Sequence, residues 1–326
     1  MSAELERLIG HPPRNAGAPL DLGLVAATRV NRSAAERRAA TMPARRSVKK
    51  TNQIAWLLKA ITFIDLTTLG GDDTPGNVRR LCAKARRPVR EEILSALGAE
   101  NLPIRCAAVC VYPEMVPYAV RALEGTEIPV ASVAAAFPHG LAPLSARLAE
   151  IRAAVESGAR EIDIVITRGH ALRGEWNALY DEVAACREAC GEAHLKTILA
   201  TGELGTLTNV ARASVVAMMA GSDFIKTSTG KESVNATLEV GLTMTRQIRE
   251  FEERTGQIVG FKPAGGIRTA KHAMDWTALM KEELGNAWLT PDLFRLGAST
   301  LLTDIERQLE HAATGHYAAS YKQPMG

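Results

Sequence analysis

The chain alternates short apolar runs with longer amphipathic stretches, and the alternation occurs eight times between residues 61 and 312. Apolar runs rich in β-branched residues are typical of strands buried on both faces, and intervening helices make such strands parallel. Glycines at several helix ends, as in ESGAREIDI and RTGQIVG, suit C-terminal helix caps. The predicted strands are residues 61–66, 104–112, 128–137, 161–167, 194–201, 222–228, 257–263 and 293–299. The predicted helices cover about residues 75–87, 114–124, 142–157, 175–191, 206–220, 233–254, 269–284 and 299–312.

Eight βα units over about 250 residues predict a (β/α)8 TIM barrel, an α/β fold. The alternative is an open doubly wound sheet, whose first βα turn would carry GxGxxG. This chain instead reads DLTTLGGDDT after its first strand. We therefore predict a barrel domain over residues 51–313, preceded by an N-terminal extension (1–50) and followed by a C-terminal tail (314–326).

The N-terminal extension, called the arm below, differs in charge from the rest of the chain. Residues 1–50 hold 10 Lys and Arg against 4 Asp and Glu, a net charge of +6, whereas the remaining residues hold 29 against 32, a net charge of −3. A basic run of this kind is typical of a solvated, loosely ordered segment, and it is partly disordered in our prediction. The slightly acidic remainder gives no support for nucleic-acid binding.

The number of cysteines indicates a reducing compartment, and the spacing of cysteines and histidines indicates a protein without a metal centre. Five cysteines is an odd number, and no secretory signal or membrane span is visible, so a reducing, cytoplasmic setting without a membrane partner is expected. The pair Cys106 and Cys110 and the pair Cys186 and Cys190 have CxxxC spacing with no histidines nearby, a weak zinc pattern. We predict no metal site.

Three lysines interrupt or end predicted strands: Lys196 in HLKTILATGEL, Lys226 in SDFIKTSTGK and Lys262 in IVGFKPAGGIR. Lysine is rarely buried, and burial beside another cation favours the neutral amine. A neutral amine attacks carbonyl groups and forms a Schiff base. Lysines that only extend their ammonium groups to solvent at strand ends are the alternative. Hydroxyl- and glycine-rich loops after Lys226 and Lys262 favour a site.

Barrel enzymes use the carboxyl ends of their strands, and several other candidates fall there. Asp65 ends the first predicted strand, Cys110 lies near the end of the second, and Asp163 lies in the fourth. The last two units also predict a phosphate site, with Gly265 and Gly266 in one loop. Gly297, Ser299 and Thr300 stand at the start of the final helix, where free N–H groups favour an anion. Tight turns and a helix cap are the alternative interpretation of these residues.

The motifs SDFIKTSTGK, GFKPAGGIRTA, FRLGAST, IDLTTL, AAVCVYP and LKTILATGEL resemble the deoxyribose-phosphate aldolase family, in its animal-type branch. The resemblance covers the chain from about residue 45 to its end. It implies a class I aldolase that reversibly cleaves 2-deoxy-D-ribose 5-phosphate to acetaldehyde and D-glyceraldehyde 3-phosphate, in deoxyribose phosphate catabolism. It implies no cofactor, because a protonated imine is itself the electron sink. A phosphorylated sugar is the expected substrate, and a homodimer or homotetramer the expected assembly.

The resemblance also implies roles for individual residues. Lys226 would be the Schiff-base nucleophile, Lys262 the second lysine that lowers its pKa, and Asp163 the carboxylate that works with Lys262 in proton transfer. Residues expected around the substrate are Asp65, Cys110, Lys196 and Thr229. Residues expected around the phosphate are Gly230, Lys231, Gly265, Gly266, Gly297, Ser299 and Thr300.

Two features depart from the short members of this family. These members end at a tail tyrosine that assists proton transfer, whereas here both Tyr317 and Tyr321 lie in the tail and KQPMG follows. Either tyrosine could serve. The loop TRGHALRGEW after the fourth strand also differs. A transaldolase-like barrel is one competing hypothesis, and the presence of Lys262 with Asp163 argues against it. A non-catalytic phosphosugar-binding or scaffold protein is the other, and the full set of candidate residues argues against it.

Overall fold

A computed structural model describes residues 13–45 and 48–319. Its eight strands are β1 (Ile64–Thr67), β2 (Ala108–Val111), β3 (Val130–Ala134), β4 (Glu161–Val165), β5 (His194–Ile198), β6 (Phe224–Lys226), β7 (Gly260–Lys262) and β8 (Leu296–Ala298). All registered pairs are parallel, in the order β7-β6-β5-β4-β3-β2-β1-β8. Bridges from Phe261 to Phe294 and from Ala264 to Gly297 join the two ends of the sheet. The predicted TIM barrel is confirmed.

The helices follow the strands as the sequence predicted, with four short or N-terminal additions and one in the loop after β4. They are α1 (Leu22–Ala27), α2 (Arg32–Arg45), α3 (Lys50–Ile61), α4 (Pro75–Arg86), α5 (Glu91–Ala96), α6 (Val116–Ala122), α7 (Leu144–Glu156), α8 (Arg168–Arg173), α9 (Trp176–Ala189), α10 (Leu207–Met219), α11 (Leu238–Thr255), α12 (Ala270–Glu283) and α13 (Leu301–Thr314). Each observed strand lies within or overlaps its predicted run, but the runs were longer because buried loop residues flank the strands. Within the described residues no helix is both long and apolar enough to cross a membrane.

Alternate strand residues separate two kinds of interior. Aliphatic and aromatic side chains such as Ile64, Val109 and Ile225 point outward from the barrel and pack under the helices in the main apolar core. The opposite set, which includes Asp65 and Lys226, points into the barrel, where both side chains are buried. Successive side chains of a strand point to opposite faces, so the residues that face the helices determine which residues face the barrel interior. The barrel therefore carries its charged residues in its centre.

The described part of the arm, residues 13–45, packs against the helices of the barrel. Asn15 is 5% exposed, and its side-chain amide donates to the carbonyl oxygens of Met218 (2.7 Å) and Ser222 (2.8 Å). Helix α2 packs on α11 and α12 through a buried stripe that includes Met42. Arg38 adds ion pairs to α12. A small apolar stripe and these polar contacts therefore join the described part of the arm to the barrel helices. The division into arm, barrel and tail stays a prediction.

Candidate active site

The lysines predicted from the sequence meet in the centre of the barrel. In the parallel register Lys226 lies opposite Lys262, and Asp163 lies opposite Lys196. Asp163 Oδ2 accepts hydrogen bonds from the ammonium groups of Lys226 (2.7 Å) and Lys262 (2.8 Å). Its other oxygen, Oδ1, accepts from Lys196 (3.0 Å). One carboxylate is thus shared by three lysines, each at most 4% exposed.

The surroundings shift the pKa of the three lysines in different directions. Burial lowers the pKa of Lys226 and the neighbouring charge of Lys262 lowers it further, against the opposing effect of Asp163. Burial also acts on Lys262, but the carboxylates of Asp163 and Asp65 outweigh it, so the pKa of Lys262 is raised. The pKa of Lys196 is raised for the same kind of reason. Lys226 is therefore the lysine of this group with the greatest tendency to be a neutral amine.

Two further charged residues belong to this cluster, and the sequence analysis missed them. Arg295 donates to Asp65 Oδ1 (2.6 Å) and to Glu161 Oε1 (2.7 Å). Glu161 also accepts from Lys196 (2.6 Å), and Asp65 accepts from Lys262 (2.5 Å). Glu161 stands two residues before Asp163 on β4, and a period of two puts both on one face. Arg295 lies within the predicted strand 293–299, and a charged residue in an apolar run was the signal that could have identified it.

Above the lysines, the interior of the barrel is apolar. Cys110 lies in a small cluster of buried side chains with Ala131, Val133, Phe137, Val165 and Ile198. Burial raises the pKa of the Cys110 thiol to about 11, so this group is neutral near pH 7. All five cysteines are buried free thiols. Ile198 of this cluster lies opposite Lys226 in the sheet, and apolar surroundings disfavour the charged form of an amine.

The loop after Lys226 already holds a carboxylate. Both oxygens of Glu232 accept from the backbone N–H of Thr229 (3.0 Å each), and Oε2 also accepts from the Thr229 hydroxyl (2.7 Å) and the Gly230 N–H (3.1 Å). Successive N–H groups of this kind form an anion-binding nest. Lys231 extends across to the carbonyl oxygen of Leu69 at 3.2 Å. Glu232 is a further residue that the sequence analysis missed.

The residues predicted for phosphate converge near this loop. Gly265 and Gly266 have φ of +80° and +79°, a left-handed conformation that favours glycine. A side chain at Gly265 would collide with Asn235, whereas the space over Gly266 is open. Ser299 and Thr300 are exposed before α13, and within the described part of the chain no side chain caps the N-terminus of that helix. Gly297 differs from these residues, because its N–H donates to the carbonyl oxygen of Pro263 (3.0 Å).

The structure places Tyr317 away from this cluster. Helix α13 begins beside the predicted phosphate site and has 14 residues, so it spans about 21 Å. Tyr317 follows the far end of α13, stacks on His311 with ring centroids 4.3 Å apart and is 56% exposed. Tyr321 lies outside the described residues. Among the residues the structure does describe, no group of three His, Cys, Asp or Glu side chains could hold a metal ion.

Comparisons with known proteins agree with this geometry. The chain is 63% identical to deoxyribose-phosphate aldolase of Mus musculus over 311 residues, which is 95% of this chain and 98% of the mouse protein. It is 62% identical to deoxyribose-phosphate aldolase of Homo sapiens over 313 residues, with the same coverage. The tetrameric deoxyribose phosphate aldolase of Aeropyrum pernix shares the fold, with a TM-score of 0.58 and 22% identity over 81% of this chain and 98% of that one.

These relatives and the barrel place the chain among the aldolases, which are carbon–carbon lyases. The model of the DeoC/LacD family of aldolases matches residues 59–305, and the chain belongs to this family. The family that the sequence motifs indicated is confirmed.

Proposed function

We propose that this enzyme is a class I aldolase that reversibly cleaves 2-deoxy-D-ribose 5-phosphate, with Lys226 as the nucleophile. The observation that carries the proposal is the shared Asp163 oxygen, which holds a lysine of lowered pKa beside a lysine of raised pKa. The first supplies a neutral amine, and the second supplies a fixed positive charge and a proton donor. The substrate is inferred from the names of the mouse and human relatives.

The proposed reaction begins at the aldehyde carbon of the open-chain sugar. The neutral amine of Lys226 adds to this carbon, and loss of water gives a protonated imine. A base then removes the proton of the C3 hydroxyl, the C2–C3 bond breaks, and its electron pair moves to the imine nitrogen. D-Glyceraldehyde 3-phosphate leaves and an enamine remains. Protonation of the enamine carbon and hydrolysis release acetaldehyde and restore Lys226.

Asp163 and Lys262 are the proposed groups for proton transfer. Asp163 is ionised, because neighbouring lysine charges, with Lys196 the strongest, outweigh the effect of burial and hold its pKa well below the usual range. It can accept a proton directly or through a water, and Lys262 can return one. The buried Cys110 cluster would enclose the two-carbon fragment, whose methyl group is apolar. Asp65 and Lys196, both buried, are proposed as polar neighbours of the substrate.

The phosphate group is proposed to lie between two glycine-rich segments. On one side are Thr229, Gly230 and Lys231, and on the other are Gly265 and Gly266. The uncapped start of α13 at Ser299 and Thr300 adds N–H groups and a favourable dipole. Since Glu232 occupies the N–H groups of the first segment, substrate binding would displace its carboxylate.

The setting of the reaction is also part of the proposal. Five free, buried thiols fit a reducing compartment such as the cytoplasm, where deoxyribose phosphates would be degraded. A homodimer or homotetramer stays a prediction.

Acetaldehyde release from 2-deoxy-D-ribose 5-phosphate tests the proposal. Purified enzyme should release acetaldehyde with an excess of chelator present, and Lys226→Met should abolish the release. Lys271→Met, at an exposed position of α12, is the matched control and should keep the wild-type rate. Absence of acetaldehyde with the wild-type enzyme, or full activity of Lys226→Met, would contradict the proposed function.

A further inference from the structure

Buried charges are linked across the barrel from Arg295, directly before β8, to Asp163 on β4. Arg295 Nη1 donates to Asp65 Oδ1 at 2.6 Å. Asp65 Oδ2 accepts from Lys262 at 2.5 Å, and Lys262 donates to Asp163 Oδ2 at 2.8 Å. One continuous path of alternating positive and negative groups therefore joins Arg295 to Asp163.

A second path joins the same two residues by the other side. The Arg295 guanidinium donates two hydrogen bonds to Glu161, from Nη2 at 2.7 Å and from Nη1 at 3.2 Å. Glu161 Oε2 accepts from Lys196 at 2.6 Å, and Lys196 donates to Asp163 Oδ1 at 3.0 Å. The two paths form one closed ring, whose members in order are Arg295, Asp65, Lys262, Asp163, Lys196 and Glu161.

The ring is electrically neutral without Lys226. It contains three cations and three carboxylates in strict alternation, and each member is between 0% and 5% exposed. Lys226 is a seventh titratable group, and its partner is Asp163 Oδ2, which Lys262 already contacts. Protonated Lys226 would therefore give this buried cluster a net charge of +1. A low-dielectric site disfavours such an excess charge.

We propose that Arg295 and Glu161 are positioning residues that close this ring, so that Lys226 is the member of the cluster left neutral for attack on the carbonyl carbon. Neither residue contacts Lys226 or needs to contact the substrate. Arg295 cannot lose its proton, so it anchors the charge of both carboxylates beside it. The inference rests on the proposed function, in which Lys226 forms the imine.

The other elements that the structure describes around Lys226 add no compensating charge. On β2 the nearest titratable group is the Cys110 thiol, which burial keeps protonated. The interior residues of β3, Ala131 and Val133, are apolar, and so is Ile198 on β5. The charges that face Lys226 are thus Asp163 and the ring members bonded to it.

Arg295 and Glu161 also lie between the rest of the ring and the solvent at the amino ends of the strands. Both residues line an open cavity of about 990 Å³ at the amino ends of the strands, together with residues such as Arg105 and His194. Arg295 also donates to the carbonyl oxygen of Pro291 and lies over the Phe224 ring. Every nitrogen of its guanidinium therefore has an acceptor, as a fixed anchor requires.

The test is the pH dependence of imine formation, measured by trapping acetaldehyde on the enzyme with cyanoborohydride. Glu161→Gln keeps the side-chain shape but gives the ring a net charge of +1, so the trapping midpoint of Lys226 should move down. Arg295→Met gives the ring a net charge of −1 and should move the midpoint up. We expect shifts of about one pH unit, each equal to a tenfold change in neutral amine below the midpoint. The double variant should return close to the wild-type midpoint.

The opposite signs separate this role from a structural one. A variant that merely loosens the barrel admits water and moves the Lys226 pKa up, toward about 10.4. A downward shift in Glu161→Gln cannot arise in that way, so this variant carries the test if Arg295→Met does not fold. An unchanged or raised midpoint in Glu161→Gln would overturn the ring proposal. Absence of label on Lys226 in the wild-type enzyme would instead overturn the proposed function.

Discussion

Lys226 and Lys262 donate to the same oxygen atom, Asp163 Oδ2, at 2.7 and 2.8 Å. The two residues lie opposite each other on β6 and β7, so the sheet register fixes this arrangement. Lys262 also has Asp65 as a second partner at 2.5 Å. This unequal pairing explains why the pKa of Lys262 is raised while burial lowers the pKa of Lys226.

Replacing Lys262 by Leu removes the cation nearest to Lys226 and leaves Asp163 to stabilise the charged form of Lys226. The pKa of Lys226 should therefore rise, which leaves less neutral amine at neutral pH. The pH midpoint for trapping the imine should move up, and kcat should fall by about 100-fold or more near pH 7. Lys262→Arg keeps the charge but cannot release a proton, and it should retain imine formation while losing turnover. Trapping by Lys262→Leu at the wild-type midpoint would rule out the electrostatic role.

Replacing Ser299 by Glu should weaken binding of the phosphorylated substrate. The new carboxylate would stand at the start of α13, beside the proposed phosphate position. We expect KM for 2-deoxy-D-ribose 5-phosphate to rise about tenfold or more, because like charges repel, while the thermal midpoint changes little. Ser145→Glu, at an exposed position of α7, is the control. An unchanged KM in Ser299→Glu would refute this phosphate site.

Replacing Glu232 by Gln should have the opposite effect. The side chain keeps its shape, but the negative charge on the Thr229 and Gly230 N–H groups is removed. Since phosphate would no longer compete with a carboxylate for these donors, KM for the phosphorylated substrate should fall severalfold. Unphosphorylated 2-deoxy-D-ribose should show no such gain. Glu253→Gln, exposed on α11, is the control, and a higher KM in Glu232→Gln would indicate that this carboxylate supports binding.

The arm should contribute to stability and not to chemistry. The side-chain amide of Asn15 donates to the carbonyl oxygens of Met218 and Ser222, and its backbone N–H donates to Asp223 at 3.0 Å. None of these three partners belongs to the charged cluster around Lys226. Asn15→Ala leaves two buried carbonyl groups without this donor and should cost about 1–3 kcal/mol of unfolding free energy.

Denaturant unfolding and kcat measured on the same sample check this prediction. Asn101→Ala, at an exposed position, is the control. A truncation starting near Arg46 should likewise keep kcat if it folds. A folded variant of either kind that loses kcat would show that the arm takes part in the site.

The fold was predictable because each strand is a local apolar run and each helix repeats its apolar residues at helical spacing. The individual lysines were predictable for the same reason, as charged residues in such runs. The ring was not, because Asp65 and Lys262 are 197 positions apart and meet only when the barrel closes. The Glu232 contact depends on a loop conformation, which has no periodic signal. The roles proposed for these residues remain predictions.

Mass mapping of the trapped enzyme tests the central claim most directly. Wild-type enzyme is treated with acetaldehyde and borohydride, which converts an imine into a stable ethyl group on the lysine nitrogen. The account predicts this modification on the peptide that contains Lys226, and its loss in Lys226→Met. Modification of Lys196 or Lys262 in place of Lys226 would contradict the account.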